Sequence, residues 1–78
     1  MKTYKFTSVI WKEKEGYVSK CPELGVASCG SSVDEALKNL REAVELYLEN
    51  AKALGMMNEL EAEFKYKERF TSVLEVVV

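Results

Sequence analysis

The chain has 78 residues, and its 11 lysines and arginines against 13 aspartates and glutamates give a net charge of −2. This length suits one domain and excludes a multi-domain enzyme. An apolar fraction of 47% with 31% charged residues is typical of a globular chain and not of a disordered one. The chain contains no histidine, which removes the usual base of serine and cysteine hydrolases and a common zinc ligand. Composition therefore favours a binding module over an enzyme, and we expect no cofactor and no metal site.

The sequence also indicates where the protein works. Its apolar runs are shorter than the roughly 20 residues that cross a bilayer, and its N-terminus lacks the apolar core of a signal peptide. We therefore expect a cytoplasmic protein with no membrane partner. The mildly acidic balance argues against general nucleic-acid affinity, which needs clustered lysine and arginine.

The first predicted strand covers residues 3–11 (TYKFTSVIW), a run rich in aromatic and β-branched residues. Because strand residues alternate, Phe6 and Ile10 would lie on one face and Val9 and Trp11 on the other. Both faces are apolar near the end of the run. This favours a central strand, or a strand whose second face is covered.

Two further short strands are predicted at residues 17–21 and 26–29. The charged loop that ends at Gly16 suits a hairpin, and Pro22 with Gly25 is typical of a tight turn. Three strands with short connections predict an antiparallel meander.

The strongest predicted element is a helix over residues 33–54. Ser32 is suited to cap its start and Gly55 to end it. We expect Leu40 and Val44, in the middle of its apolar stripe, to be core. The stripe follows helical spacing through Val33, Ala36, Leu37, Leu40, Ala43, Val44, Tyr47, Leu48, Ala51 and Leu54.

The last part of the chain is predicted as a connection followed by a strand. Residues 56–69 are predicted as a loop with one or two helical turns. A short helix capped by Asn58 and an irregular crossover both stay open. Residues 70–78 (FTSVLEVVV) have the dense β-branched content of a final strand. The whole order is βββαβ, an α+β fold with an antiparallel meander and one long helix on one sheet face.

Residues 17–55 carry the motifs CPEL, GVAS, DEALKNL and REAVELYLE in that order. In these motifs the chain resembles the HicB family of antitoxins. With the first and last strands included, the resemblance covers nearly the whole chain, as a single HicB-like domain over residues 1–78. It implies a truncated ribonuclease H-like fold with sheet order 3-2-1-4.

The resemblance also implies a function. HicB-like proteins bind and neutralise a small HicA-like toxin that cleaves messenger RNA. Many longer members carry a C-terminal DNA-binding module, and nothing in this sequence follows Val78. We therefore expect no direct DNA binding by this chain.

A ribonuclease H-like core raises the question of two-metal catalysis, which needs several carboxylates converging on two cations. The first predicted strand contains no acidic residue. The acids lie instead in the hairpin, at Glu13 and Glu15, on the helix and in the later loop. A solvated acidic surface is the favoured interpretation, and we expect no catalytic residue.

Three other groups have both a functional and an ordinary interpretation. Cys21 and Cys29, on neighbouring predicted strands, would form a reversible disulfide only with Cα atoms within about 7 Å, and two small buried thiols are favoured. The pair Met56 and Met57 suits either an adaptable contact surface or packing after the helix, which is favoured. A basic stripe interleaved with aromatic residues is best explained as a solvated loop; it consists of Lys65, Tyr66, Lys67, Arg69 and Phe70.

One helix covers one sheet face, so apolar side chains on the other face would remain in water, which is unusual for a monomer. The candidate protein-interface residues are Val9, Trp11, Val73 and Val77. Trp11 stands out because aromatic anchors dominate interface energies, the alternative being a tryptophan packed over its own hairpin. We expect a homo-oligomer.

The leading functional prediction is an antitoxin-like protein whose partner is a HicA-like toxin. Its acidity complements a basic, RNA-binding partner. The alternative is a stand-alone homo-oligomeric module with a regulatory or structural role and no toxin.

Overall fold

The computed structural model describes residues 3–65 and 68–78. The elements in chain order are β1 (Val9–Glu13), β2 (Gly16–Cys21), β3 (Val26–Gly30), α1 (Val33–Ala53) and α2 (Met57–Phe64). The three strands form one antiparallel sheet in the order β1-β2-β3. The α+β class, the meander and the long helix are therefore confirmed.

The sheet has one face covered by α1. Ser19 and Cys21 of β2 are fully buried beneath the helix, and Ser19 Oγ donates a hydrogen bond to the carbonyl oxygen of Ala36 at 2.8 Å. Because strand residues alternate, Val18 and Lys20 lie on the opposite side. We call the side of Ser19 and Cys21 the helix face, and the other side the open face.

The helix approaches the sheet closely at the end of β3. A Cβ atom added to Gly30 would lie 2.5 Å from the backbone nitrogen of Ala36, which is a steric clash. Glycine at this position therefore lets the helix backbone sit directly against the strand.

Both ends of α1 are fixed by signals that the sequence predicts. Ser32 Oγ accepts from the backbone N–H of Glu35 at 3.1 Å. At the other end Gly55 has a φ of 70°, and its N–H donates to the carbonyl oxygen of Lys52 at 3.1 Å. The predicted helix over residues 33–54 is confirmed to within one residue.

The buried core is small. Leu40 and Val44 belong to it, as predicted, and Leu40 is only 3% exposed. These two side chains pack with Cys21, and the partly buried residues around them are Phe6, Leu24, Val26 and Leu48.

The first strand is shorter than predicted at its start, because β1 begins at Val9 and not at residue 3. Val9 lies opposite Lys20, one residue before β2 ends at Cys21. Ser8 would come opposite Cys21, the last residue of β2, and the chain then turns at Pro22, so residues 3–7 have no strand to pair with on that side. We call residues 3–8 the N-terminal segment.

The second helix, α2, packs on the N-terminal segment. Phe64 contacts Tyr4 and Phe6 edge-on, with ring centroids 5.8 Å and 5.2 Å away, and the Tyr4 hydroxyl donates to the Glu61 carboxylate. A short helix is therefore present where the sequence agreed with either a loop or a helix. The prediction of Asn58 as its cap is wrong, because Asn58 lies inside α2, and Met56 at the cap position makes no side-chain cap hydrogen bond.

The predicted fourth strand is not formed in this single chain. Residues 68–78, here called the tail, have no helix or strand and are exposed. The sheet order 3-2-1-4 is therefore not supported, and the observed sheet has only its β1-β2-β3 part. The β-branched content of the tail gives a preference for extended backbone, but a strand also needs a neighbour to satisfy its N–H and C=O groups.

No helix within the described ranges, 3–65 and 68–78, is long and apolar enough to cross a membrane.

We predict that Leu40→Ala lowers the free energy of unfolding by about 2–5 kcal/mol, because it opens a cavity under α1. Leu46→Ala is the matched control, since Leu46 is on the same helix but 58% exposed. Its loss should stay below about 0.5 kcal/mol. Denaturant titration measures both, and equal losses would mean that α1 faces the sheet differently.

Candidate protein-interaction surface

The open face of the sheet is mostly apolar. Across the strands, Trp11 lies opposite Val18 and Val18 opposite Cys29. Within the described residues α1 lies on the other side of the sheet, and α2 contacts α1 and the N-terminal segment but no strand. The open face consists of Val9, Trp11, Val18, Lys20, Ala27 and Cys29.

Trp11 is the largest side chain on the open face and is 39% exposed. Its indole N–H donates to Glu13 Oε1 at 2.7 Å. The polar atom of the ring is thus satisfied within the chain, and its apolar surface is left for contact. Val9 lies on the same face and is half-buried. The interface role of both residues stays a prediction.

The other two interface candidates, Val73 and Val77, are not on the open face. They lie on the tail and are more than nine-tenths exposed. The structure thus brings Val9 and Trp11 together but leaves Val73 and Val77 apart from them. Their role also stays a prediction.

A carboxylate that the sequence analysis missed holds the N-terminal segment in place. Glu23, in the turn after β2, accepts from the Thr7 N–H at 2.9 Å and from Thr7 Oγ1 at 2.8 Å, both at Oε2. The side chain supplies the acceptor that β2 no longer offers beyond its last residue. The acid after the proline in CPEL was the available signal, but propensity alone does not assign it a partner.

The same two hydrogen bonds set the charge of Glu23. Its partial burial favours the neutral form, but the bonds from Thr7 outweigh that effect and lower the pKa of the carboxyl below its ordinary value. Cys21 lies beside it, with Sγ 3.8 Å from Glu23 Oε1. Burial raises the pKa of the Cys21 thiol, so this sulfur is not activated as a nucleophile.

The two cysteines are both free and lie on opposite sheet faces. Cys21 is buried under α1, whereas Cys29 is exposed on the open face. The pairing of Cys21 with Val26 and of Cys29 with Val18 separates them along the strands as well. The prediction of two buried thiols is right for Cys21 and wrong for Cys29.

The remaining candidates do not form a chemical site. Among residues 3–65 and 68–78, no group of three or more cysteine, aspartate or glutamate side chains is placed to hold a metal ion. In the predicted basic stripe, Tyr66 and Lys67 lie outside the described residues, and Arg69 and Phe70 are exposed on the tail. Met56 is exposed and Met57 is partly buried.

Comparison with known proteins places this small α+β domain in a family. No family model matches the chain, and no solved structure matches it. A UPF0150 protein of Archaeoglobus fulgidus is 47% identical over 47 residues, which cover 58% of this chain and 68% of that protein. The chain belongs to the UPF0150 family.

Two further UPF0150 proteins are similar over the same share of the chain. That of Helicobacter pylori strain J99 is 47% identical over 47 residues, covering 59% of this chain and 65% of its own length. That of Synechocystis is 43% identical over 49 residues, covering 60% of this chain and 62% of its own length. These matches span less than two thirds of both relatives.

We predict that Glu23→Gln destabilises the fold in a pH-dependent manner. Because the pKa of Glu23 is lower in the folded than in the unfolded chain, its contribution is fully present above the unfolded value of about 4.3. It is lost as the pH falls through the lower folded value. The variant should lose about 1 kcal/mol at pH 7, the low end for a partly exposed charged hydrogen bond.

Urea unfolding of both proteins from pH 7 down to pH 3 checks this prediction, and the difference between them should shrink toward the acid end. Glu15→Gln in the exposed hairpin is the control and should show no such trend. A difference between Glu23→Gln and the parent that is unchanged at pH 3 would contradict the role of the Thr7 contact.

Proposed function

We propose that this protein is a non-catalytic, antitoxin-like protein that binds and neutralises a small HicA-like toxin that cleaves messenger RNA. The observation that carries the proposal is the apolar open face, in a chain whose motifs resemble HicB antitoxins. A face of this kind is suited to binding another protein, because its apolar area gains from leaving water.

The net charge of −2 favours a basic partner. The hairpin at the end of the open face is itself balanced, because Lys14 lies in the turn between Glu13 and Glu15. Complementary charge speeds encounter with a protein that itself binds RNA. Trp11 would be the anchor at the centre of such an interface.

The proposal includes the truncated ribonuclease H-like topology that the resemblance implies. β1 is an edge strand of the observed sheet, so it has one side free for a further strand. The first tail residues, Glu68, Arg69 and Phe70, line a surface pocket together with Lys5, Phe6 and Thr7. The tail thus begins beside the segment that leads into β1, and we assign it as the fourth strand, in the order 3-2-1-4.

A second candidate function rests on the same open face. A stand-alone homo-oligomeric module, regulatory or structural, would cover that face with another copy of the chain and need no toxin. The exposed apolar side chains of the tail favour self-association as well.

Co-expression tests the first function. A short basic reading frame adjacent to the gene for this chain is expressed alone and together with the chain. We predict growth arrest with the basic protein alone and normal growth with both. The chain by itself should not cleave RNA in Mg²⁺ or Mn²⁺.

Binding of the purified partner then tests the surface. Trp11→Ala should weaken the complex by about 30-fold, the effect of losing an anchor residue worth about 2 kcal/mol. Leu46→Ala, which removes an exposed apolar side chain from α1, is the control and should leave affinity unchanged. Two results would favour the stand-alone module instead. One is growth arrest that co-expression of the chain does not relieve. The other is that no such reading frame exists while the chain forms a stable oligomer in solution.

A further inference from the structure

We infer that two copies of the chain exchange tails, so that residues 70–78 of one copy pair as a strand with the open edge of β1 in the other. The inference rests on one part of the proposed function, the fourth strand beside β1, and does not depend on a toxin. It identifies the occupant of that edge as a second copy of this chain.

The tail has the chemistry of a strand without a neighbour. Its large apolar side chains are 68–94% exposed at Phe70, Val73, Leu74, Val76 and Val77. A contiguous apolar stretch of this kind is rarely left in water by a monomer. Its β-branched residues favour extended backbone, and a single charge, Glu75, interrupts them.

Of the two edge strands of the sheet, β1 is the one whose backbone is not blocked by a side chain. The β3 edge is partly blocked, because Asn39 Nδ2 donates to the Cys29 carbonyl oxygen at 2.8 Å. Among the described residues, no side chain makes a comparable bond to the backbone of β1. Unblocked edge strands are the usual sites of pairing with another chain.

A groove lies beside the N-terminal segment, just before the start of β1. It has a volume of about 720 Å³ and runs between that segment and α1. Its wall is apolar at Phe6, Leu37, Leu40, Val44 and Leu48 and charged at Arg41 and Glu45. A strand that pairs with β1 and continues past Val9 along the N-terminal segment would place every second side chain over this groove.

The two sides of the tail differ in polarity. Alternation puts Glu75 on the same side as Val73 and Val77, whereas Leu74 and Val76 lie on the other side with no charge between them. Leu74 and Val76 therefore match the apolar wall of the groove better than the side that carries Glu75 does. Val73 and Val77 extend the open face beside Val9 and Trp11, which unites the four predicted interface residues on one surface.

In the single chain the tail has no strand as a neighbour. It starts against Lys5, Phe6 and Thr7, yet all of its residues beyond that point are exposed and unpaired in a sheet. A second copy of the chain offers the same unblocked β1 edge, and we take it as the acceptor. Reciprocal exchange between two copies pairs both tails and closes the assembly at a dimer.

Directed disulfide formation tests the inference in the full-length chain. All variants carry Cys29→Ser to remove the exposed thiol, and Cys21 is left because it is buried. One tagged chain carries Val76→Cys on the tail. An untagged chain carries Ser8→Cys or Lys12→Cys, two positions on the helix-face side of the β1 edge. The two are mixed, oxidised mildly and analysed by non-reducing mass spectrometry.

We expect the disulfide between tagged and untagged chains to be the main product. The Cys29→Ser background alone should give no cross-link. A main product joining two Val76→Cys chains would mean that tails pair with each other, and an absence of cross-links would mean that the tail stays unpaired. Either result overturns the inference.

A chain with both cysteines separates exchange from pairing within one molecule. Exchange predicts a linked dimer, whereas a linked monomer at every concentration would overturn it. Light scattering gives a second readout: Val76→Asp should reduce the mass from two chains to one, and Thr71→Asp at the start of the tail should not. Toxin binding is tested separately, with Trp11→Ala. Failure of the tail exchange and failure of the antitoxin function can therefore be told apart.

Discussion

The contact between α1 and the sheet at Ser19, Gly30 and Ala36 determines the rest of the structure. Gly30 has no side chain in the way of the helix backbone, and the Ser19 hydroxyl bonds the Ala36 carbonyl oxygen in a fully buried position. A buried hydroxyl without that partner would be costly, so the helix cannot shift along the sheet without losing it. This contact fixes which sheet face is covered and which stays open.

Because α1 covers only one face of the sheet, the domain has a small core and a large exposed apolar surface. In the part of the chain that the structure describes, only a few side chains around Leu40 and Val44 are buried, as expected for a chain of 78 residues. The N-terminal segment is held from two directions, by Glu23 at Thr7 and by Phe64 at Tyr4 and Phe6. The open face and the tail remain uncovered. A small domain of marginal stability gains from any partner that binds its folded state, so both functions proposed above also stabilise the fold.

Local signals in the sequence were sufficient for the elements whose stability is local. Ser32 and Gly55 fix α1 through hydrogen bonds within a few residues, and the turn at Pro22 and Gly25 fixes the second hairpin. The class of the fold, the meander and the core positions followed from these local signals.

Contacts between residues far apart in the sequence could not be predicted in this way. The hydrogen bond from Thr7 to Glu23 has no local signal, and neither has the packing of α2 on Tyr4. The start of β1 was wrong because it depends on where β2 ends. The predicted fourth strand is absent from the single chain for a related reason: strand propensity does not say whether a neighbouring strand is in reach. The faces of Val9 and Trp11 followed from alternation, whereas the exposure of Cys29 depends on the side of the sheet that α1 occupies.

The central claim is that surfaces left open by a single covering helix are completed by another molecule. Amide hydrogen exchange of the isolated chain across a range of protein concentrations tests it most directly. We predict that the amides of residues 70–78 and of the β1 edge become protected together as concentration rises, while protection of α1 changes little. Tail amides that exchange freely at every concentration, or that are equally protected at the lowest one, would contradict the claim.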